Sequence, residues 1–163
     1  MTETKYIRPS WDEYFIEVMD AVSKRGTCDR GRTAAVIVRN NTILATGYVG
    51  APKGSPHCDD VGHMLKKTTH GDGRETTHCV RTGHGESNAI AQAAKQGAST
   101  DGATIYTRFY PCHSCAILIV NCGIVRVVVQ KEYHASEQSK EVFRNAGVEV
   151  LVMTDEMQTY KDM

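Results

Sequence analysis

No apolar run in the chain approaches the roughly 18 residues that read as a membrane-spanning helix, so none is expected. The opening stretch MTETKYIRPSWDEYF lacks the apolar core of a secretory leader, which points to the cytoplasm. An excess of one charge is also missing, since 19 Lys and Arg balance 19 Asp and Glu. Proteins that live on a nucleic-acid backbone usually carry a basic excess or a basic face. Aromatic residues make up 7% of the chain, too few for a platform of stacked bases. Neither a membrane nor a nucleic acid is therefore expected as partner. The sequence has no internal repeat and no linker long enough to split domains. Its 163 residues fit a single domain, a size that buries about two-thirds of the unfolded surface.

Cysteine and histidine are what the chain does have. The six cysteines are Cys28, Cys58, Cys79, Cys112, Cys115 and Cys122. In a cytoplasmic chain that can build its own core, they point to metal ligation before disulfides. Five of the seven histidines (His57, His63, His70, His78, His84) fall within 28 residues, interleaved with Cys58 and Cys79.

Ser10 followed by Glu13 has the form of a capping box, and an apolar stripe behind it predicts a helix over 11–25. Strands are predicted over 33–38 and 43–48, joined by the turn RNNT as a hairpin. Residues 49–83 carry little periodicity and read as a long functional loop. Beyond it, helices over 85–96, 111–121 and 137–146 alternate with strands over 103–107, 125–130 and 148–153. Such alternation implies parallel neighbours with right-handed crossovers. The expected fold is α/β: a three-layer α/β/α sandwich on a five-stranded mixed sheet, antiparallel at one edge. The core is expected over about 11–153, within one domain of 1–163, with 154–163 as a tail.

Two short runs carry the chemistry. In YPCHSC, Cys112 and Cys115 open a helix. The free N–H groups and dipole of a helix start favour their thiolate forms. Redox pairs and zinc ribbons share this spacing, so alone it is a modest signal. In GHGESNAI, His84 stands at another helix start and offers a third ligand. Three protein ligands leave one tetrahedral position open, the mark of a catalytic rather than structural zinc. Glu86, two residues from His84, cannot readily bind the same ion. It is placed to carry protons beside the open position. His-x-Glu followed by Pro-Cys-x-x-Cys is the signature of zinc-dependent nucleobase deaminases. The competing reading is a closed zinc knot with a solvated Glu86.

At these residues the chain resembles the cytidine deaminase superfamily, and most closely the deoxycytidylate (dCMP) deaminases of phage and bacterial type. The resemblance runs from about Trp11 to Tyr133. SWDEYFIEVMDAVSKRGTCDRGRTAAVIV looks like that family's opening helix and first strand. ATGYVGAPKGSPHC resembles its Gly-Tyr-Asn-Gly-x-Pro-x-Gly loop, and HCVRTGHGESNAI with GASTDGATIYTRFYPCHSC its two zinc segments. Deaminases of free bases, tRNA or riboflavin precursors share the zinc segments but not the first two pieces.

The resemblance implies a cytidine deaminase-like fold and hydrolysis of dCMP to dUMP and ammonia, supplying thymidylate synthesis. Zinc activates the water for attack at C4 of cytosine, and Glu86 moves protons to N3 and to the departing amine. The family's alanine between His and Glu is Gly85 here; its backbone N–H can still hold the base carbonyl. Asn88 matches an asparagine that steadies the site, or is a helix residue tied to a loop. Arg30, in TCDR, matches a phosphate-binding arginine, with Arg32 as a nearby competitor. Tyr133 and His134 fall where such enzymes close over the nucleotide.

The family's nucleotide loop is matched at Gly47, Tyr48, Gly50, Pro52 and Gly54, but Val49 stands where asparagine is expected. The change removes an amide's hydrogen-bonding capacity. Many members are activated by dCTP and inhibited by dTTP, with magnesium, in a hexamer. Relatives can also hold a second zinc, and Cys28 and Cys58 sit where they have ligands. His63 and Cys79 complete a proposed closed structural site, with His78 or His57 as substitutes. Cys122 reads as a packing residue and His113 as exposed. Another small-molecule cytosine or pterin-like deaminase, and a non-catalytic nucleotide sensor, are the competing functions; an intact Glu86 argues against the sensor.

Overall fold

Ser10 starts the first helix by reciprocal hydrogen bonds. Its hydroxyl accepts the Glu13 N–H at 3.2 Å, and the Glu13 carboxylate accepts the Ser10 N–H at 2.7 Å. Helix α1 then runs Trp11–Ser23, slightly shorter than expected because Lys24 already caps it. The computed structural model describes residues 6–133 and 137–158. Strands β1 (Ala34–Arg39) and β2 (Thr42–Tyr48) pair antiparallel. Asn40 and Asn41 join them with φ of 52° and 57°. Asparagine tolerates this left-handed region, whose turn twist matches the flanking strands.

The segment 49–83 is not the irregular loop that the sequence suggests. It holds a short helix α2 (Cys58–Val61) and a separate hairpin, β3 (Leu65–Thr69) with β4 (Glu75–Cys79). All of β3 and most of β4 are exposed, so no apolar alternation marks them. Their strand preference comes from β-branched threonines, Thr68 opposite Thr76 and Thr77 opposite Lys67.

The rest alternates as expected: α3 (Gly85–Gln96), β5 (Thr104–Phe109), α4 (His113–Asn121), β6 (Arg126–Tyr133), α5 (Glu137–Ala146) and β7 (Glu149–Gln158). Strand β7 continues past the expected end at Met153. It pairs Glu132 with Met157 and Tyr133 with Gln158, so part of the expected tail belongs to the sheet.

The main sheet has the order β2-β1-β5-β6-β7. Strand β1 is antiparallel to both neighbours, and β5, β6 and β7 are parallel. Alternate residues of β1 face opposite layers. Ala35 and Ile37 pack with Ala89 of α3, Ile119 of α4 and Phe143 of α5. Val36 and Val38 pack with Phe15 and Met19 of α1. This is the expected three-layer α/β/α arrangement. Phe15 and Phe143 are fully buried; burial of each stabilises the fold by about 1.5–3 kcal/mol. At the start of α1, Asp12 accepts hydrogen bonds from Arg126 Nη1 and Nη2, at 2.8 and 2.9 Å, and from Tyr106.

Candidate active site and a second cysteine–histidine cluster

Two helix starts meet at one point. His84 is the N-cap of α3 and Cys112 the N-cap of α4, and neither side chain caps its own helix. Both are therefore free to turn toward each other. His84 Nδ1 lies 3.4 Å from Cys112 Sγ and 3.5 Å from Cys115 Sγ. A tetrahedral zinc with ordinary Zn–N and Zn–S bonds sets such atoms about 3.5 Å apart. The donor set therefore fits zinc. Hydrogen bonds from Cys115 and then from His84 hold the Cys112 thiol down, at about 4. The bond to Cys112 pushes His84 up to about 9.

His84, Cys112 and Glu86 all line a cavity of about 580 Å³, a volume suited to a small ligand. The cluster thus opens on one side, while Cys115 is buried behind it. Burial raises the Glu86 carboxyl above its ordinary value. The fold puts the cavity where β5 ends and α4 begins, the C-terminal strand edge at which α/β sheets bind ligands.

Gly85 sits between ligand and acid, and its smallness has a local cause. A Cβ there would lie 2.8 Å from both Cα and C of Ala34. Gly47 is under the same helix, where a Cβ would lie 2.1 Å from the Ala89 nitrogen. Two glycines let α3 rest directly on β1 and β2.

A second group forms from distant segments. Ligand atoms of Cys28, Cys58, His63 and Cys79 all lie within 4.8 Å of one another. Cys28 Sγ is 3.6 Å from His63 Nδ1, and Cys58 Sγ is 3.5 Å from Cys79 Sγ. His63 Nε2 faces Asp29 Oδ1 at 3.1 Å, the carboxylate partner that orients a ligating imidazole. Its donors also fit zinc, here with four ligands and no open position. The suggested substitutes stand outside this group: His57 occupies the N-cap position of α2 without a side-chain capping bond, and His78 is exposed on β4.

The other expected residues are distributed as follows. Arg30 lines the cavity and donates from Nη2 to Thr77 O at 3.2 Å. Its competitor Arg32 is bound to Asp59 and to Gly26 O. Asn88 donates to Tyr48 O at 2.8 Å and Gly83 O at 3.3 Å, so it ties α3 to the two flanking segments. The nucleotide loop is not one surface. Gly47 is a packing glycine, and Tyr48 packs beside the α1 cluster. Val49 is buried against Cys28 and Cys58 and also lines the cavity. Gly50 pairs with Gly83, while Pro52 and Gly54 are exposed. His134 and the side chain of Tyr133 lie outside the described residues. His113 is exposed and Cys122 packs at the edge of the core.

Sequence reasoning missed Arg74, Arg108 and Tyr110, all of which line the cavity. Arg108 and Tyr110 were findable, because RFY directly precedes the Pro-Cys motif at a strand's C-terminal end. Arg74 carried no such signal.

A sequence profile described as the cytidine and deoxycytidylate deaminase zinc-binding region matches residues 9–131. The chain belongs to the cytidine and deoxycytidylate deaminase family. The deaminase is 39% identical over 151 residues to ComE operon protein 2 of Bacillus subtilis, covering 92% of this chain and 75% of that protein. It is 37% identical over 128 residues to the deoxycytidylate deaminase of Mycobacterium phage D29, covering 77% and 98%. The Schizosaccharomyces pombe deoxycytidylate deaminase is 33% identical over 143 residues, but the chain spans 44% of its length. Among solved structures, dCMP deaminase from the cyanophage S-TIM5 in complex with dCMP and dUMP matches with a TM-score of 0.72 at 27% identity, covering 91% of this chain and all of that one. No described helix is long and apolar enough to cross a membrane.

Proposed function

We propose that this deaminase converts dCMP to dUMP with release of ammonia, in the cytoplasm, supplying dUMP for thymidylate synthesis. The observation that carries the reading is the three-ligand cluster of His84, Cys112 and Cys115 opening into a cavity that Glu86 also lines. Zinc held there supplies a Lewis acid that brings water near ionisation at neutral pH. Glu86 is the proton carrier. Its carboxylate takes a proton from water, delivers one to N3 of cytosine, and passes the next to the departing 4-amino group. Overall, water adds its oxygen at C4, the C4–N bond breaks, and ammonia leaves. The backbone N–H of Gly85 holds the base carbonyl, and Arg30 binds the 5′-phosphate. Asn88 keeps the flanking segments in register. Tyr133 and His134 are proposed to close over the nucleotide.

The second group, Cys28, Cys58, His63 and Cys79, is proposed as a structural zinc site because all four positions are filled by protein. A metal there would hold together a segment with little core of its own. By family resemblance we infer a hexamer, activated by dCTP and inhibited by dTTP with magnesium. Val49 is too enclosed to offer an effector more than an apolar contact, which leaves Pro52 and Gly54 as the reachable part of that loop.

The test is ammonia release from dCMP, dCTP, deoxycytidine and cytosine. Preference for dCMP is expected. If dCMP is the poorest substrate of the four, the reading is wrong.

A further inference from the structure

The β3–β4 hairpin belongs to neither layer of the main sheet, yet it borders the reaction cavity. Six consecutive residues, Arg74 to Cys79, line that cavity, and no residue of β3 does. Strand β4 is therefore the inner edge of the hairpin. Its base is fixed by Cys79 and His63 of the second cluster, and by the bond from Val80 N–H to Met64 O. Its inner edge is tied to the opposite side by Arg30, which donates to Thr77 O.

Three arginines line the cavity: Arg30, Arg74 and Arg108. Arg108 is committed. Its Nη2 donates to Asp20 at 2.7 Å and to Ser23 at 3.0 Å, and its Nη1 to Arg32 O at 2.9 Å. Glu75, the acid nearest in sequence to Arg74 on β4, is neutralised by Lys67 at 2.6 Å. Arg74 itself meets Asp72 only loosely, Nε to Oδ2 at 3.7 Å, with its side chain 56% exposed. Two guanidinium groups thus border the cavity from two different segments, with hydrogen-bonding capacity left over.

We propose that Arg74 is the second half of a phosphate clamp, gripping with Arg30 the 5′-phosphate of a pyrimidine deoxynucleoside monophosphate. The proposal rests on the dCMP reading above. Two arginines present paired N–H donors that match the dianion's oxygens, which a single arginine cannot saturate. The hairpin then discriminates phosphorylated from unphosphorylated substrates, while the zinc ligands and Glu86 act on the base alone.

The test is calorimetric binding of dUMP and of deoxyuridine to the zinc-loaded full chain, in wild type, Arg74→Ala and Arg74→Lys. Wild type should bind dUMP well above deoxyuridine. Arg74→Ala should weaken dUMP about tenfold, the weight of a charge-assisted hydrogen bond, and leave deoxyuridine unchanged. Arg74→Lys should recover part of the loss. Unchanged dUMP binding in Arg74→Ala, or equal losses for both ligands, overturns the clamp. Wild-type turnover of dCMP is measured alongside. If wild type turns over dCMP and Arg74→Ala binds dUMP normally, the clamp alone fails. If wild type does not turn over dCMP, the function reading fails and the clamp with it.

Discussion

Replacing Gly85 with alanine tests whether the contact between α3 and the sheet sets the position of the reactive groups. The new methyl would lie 2.8 Å from Cα and C of Ala34 and 3.1 Å from the Ala35 nitrogen. Carbon atoms rest at about 3.5–4.0 Å, so the methyl arrives roughly 0.7–1.2 Å too close. Neither neighbour can yield, because both are backbone atoms of β1, a strand covered on both faces. The start of α3 must lift instead. Overpacking of this kind costs about 1–3 kcal/mol, offset by at most about 1 kcal/mol of helix preference for alanine. A net loss of about 1–2 kcal/mol is expected in urea unfolding. The effect on chemistry should be larger. His84 and Glu86 flank the substituted residue, and a displacement near 1 Å can cost about 100-fold in rate. Ammonia release should therefore fall ten- to a hundredfold, by the same estimate, with weakened zinc retention. A Gly85→Ala protein with full zinc content and kcat within about twofold of wild type would refute the packing argument.

Glu86→Gln should keep its zinc and lose at least about 100-fold in kcat; near-normal turnover would remove Glu86 from its role. Cys58→Ser should lose one zinc per chain while retaining the other, and should expose residues 65–79 to faster proteolysis; an unchanged metal count would rule out the second site. The hydrogen bonds from Arg126 hold the Asp12 carboxyl below its ordinary value of 3.8. A depressed carboxyl stabilises the fold fully above that value, and the contribution disappears as pH falls through the lower folded pKa. Asp12→Asn should therefore lose about 2 kcal/mol at pH 7 and have a shallower acid limb below pH about 4; coincident urea midpoints at pH 7 would contradict this.

The reactive cluster was legible because its information is local. His84 with Glu86, and Cys112 with Cys115, are short spacings at helix starts, and helix geometry converts them into directions. The alternating second half was legible for the same reason. The second cluster was legible by residue type and by resemblance: ligands abound around Cys58 and Cys79, Cys28 and Cys58 match ligand positions of relatives, and the fold supplied the closeness. The hairpin was hidden because strand prediction relies on a buried face, and β3 has none. The end of β7 was missed because its last pairs with β6 lie beyond the apolar run VEVLVM. Val49 illustrates the remaining limit. Its neighbours Cys28 and Cys58 come from either side in the chain, so no window of sequence around it discloses its burial.

The separation of the hairpin from the core has an evolutionary consequence. No residue of β3 or β4 is a buried member of either sheet-facing cluster, whereas α3 is wedged onto the sheet by Gly47 and Gly85. The two parts of the cavity wall are therefore under unequal constraint. Residues that hold the reaction can hardly change size without disturbing the sheet. Residues 65–75 can vary, lengthen or be exchanged with little effect on folding. Lineages carrying this architecture are thus free to alter which nucleotides are admitted while the deamination chemistry beneath stays fixed.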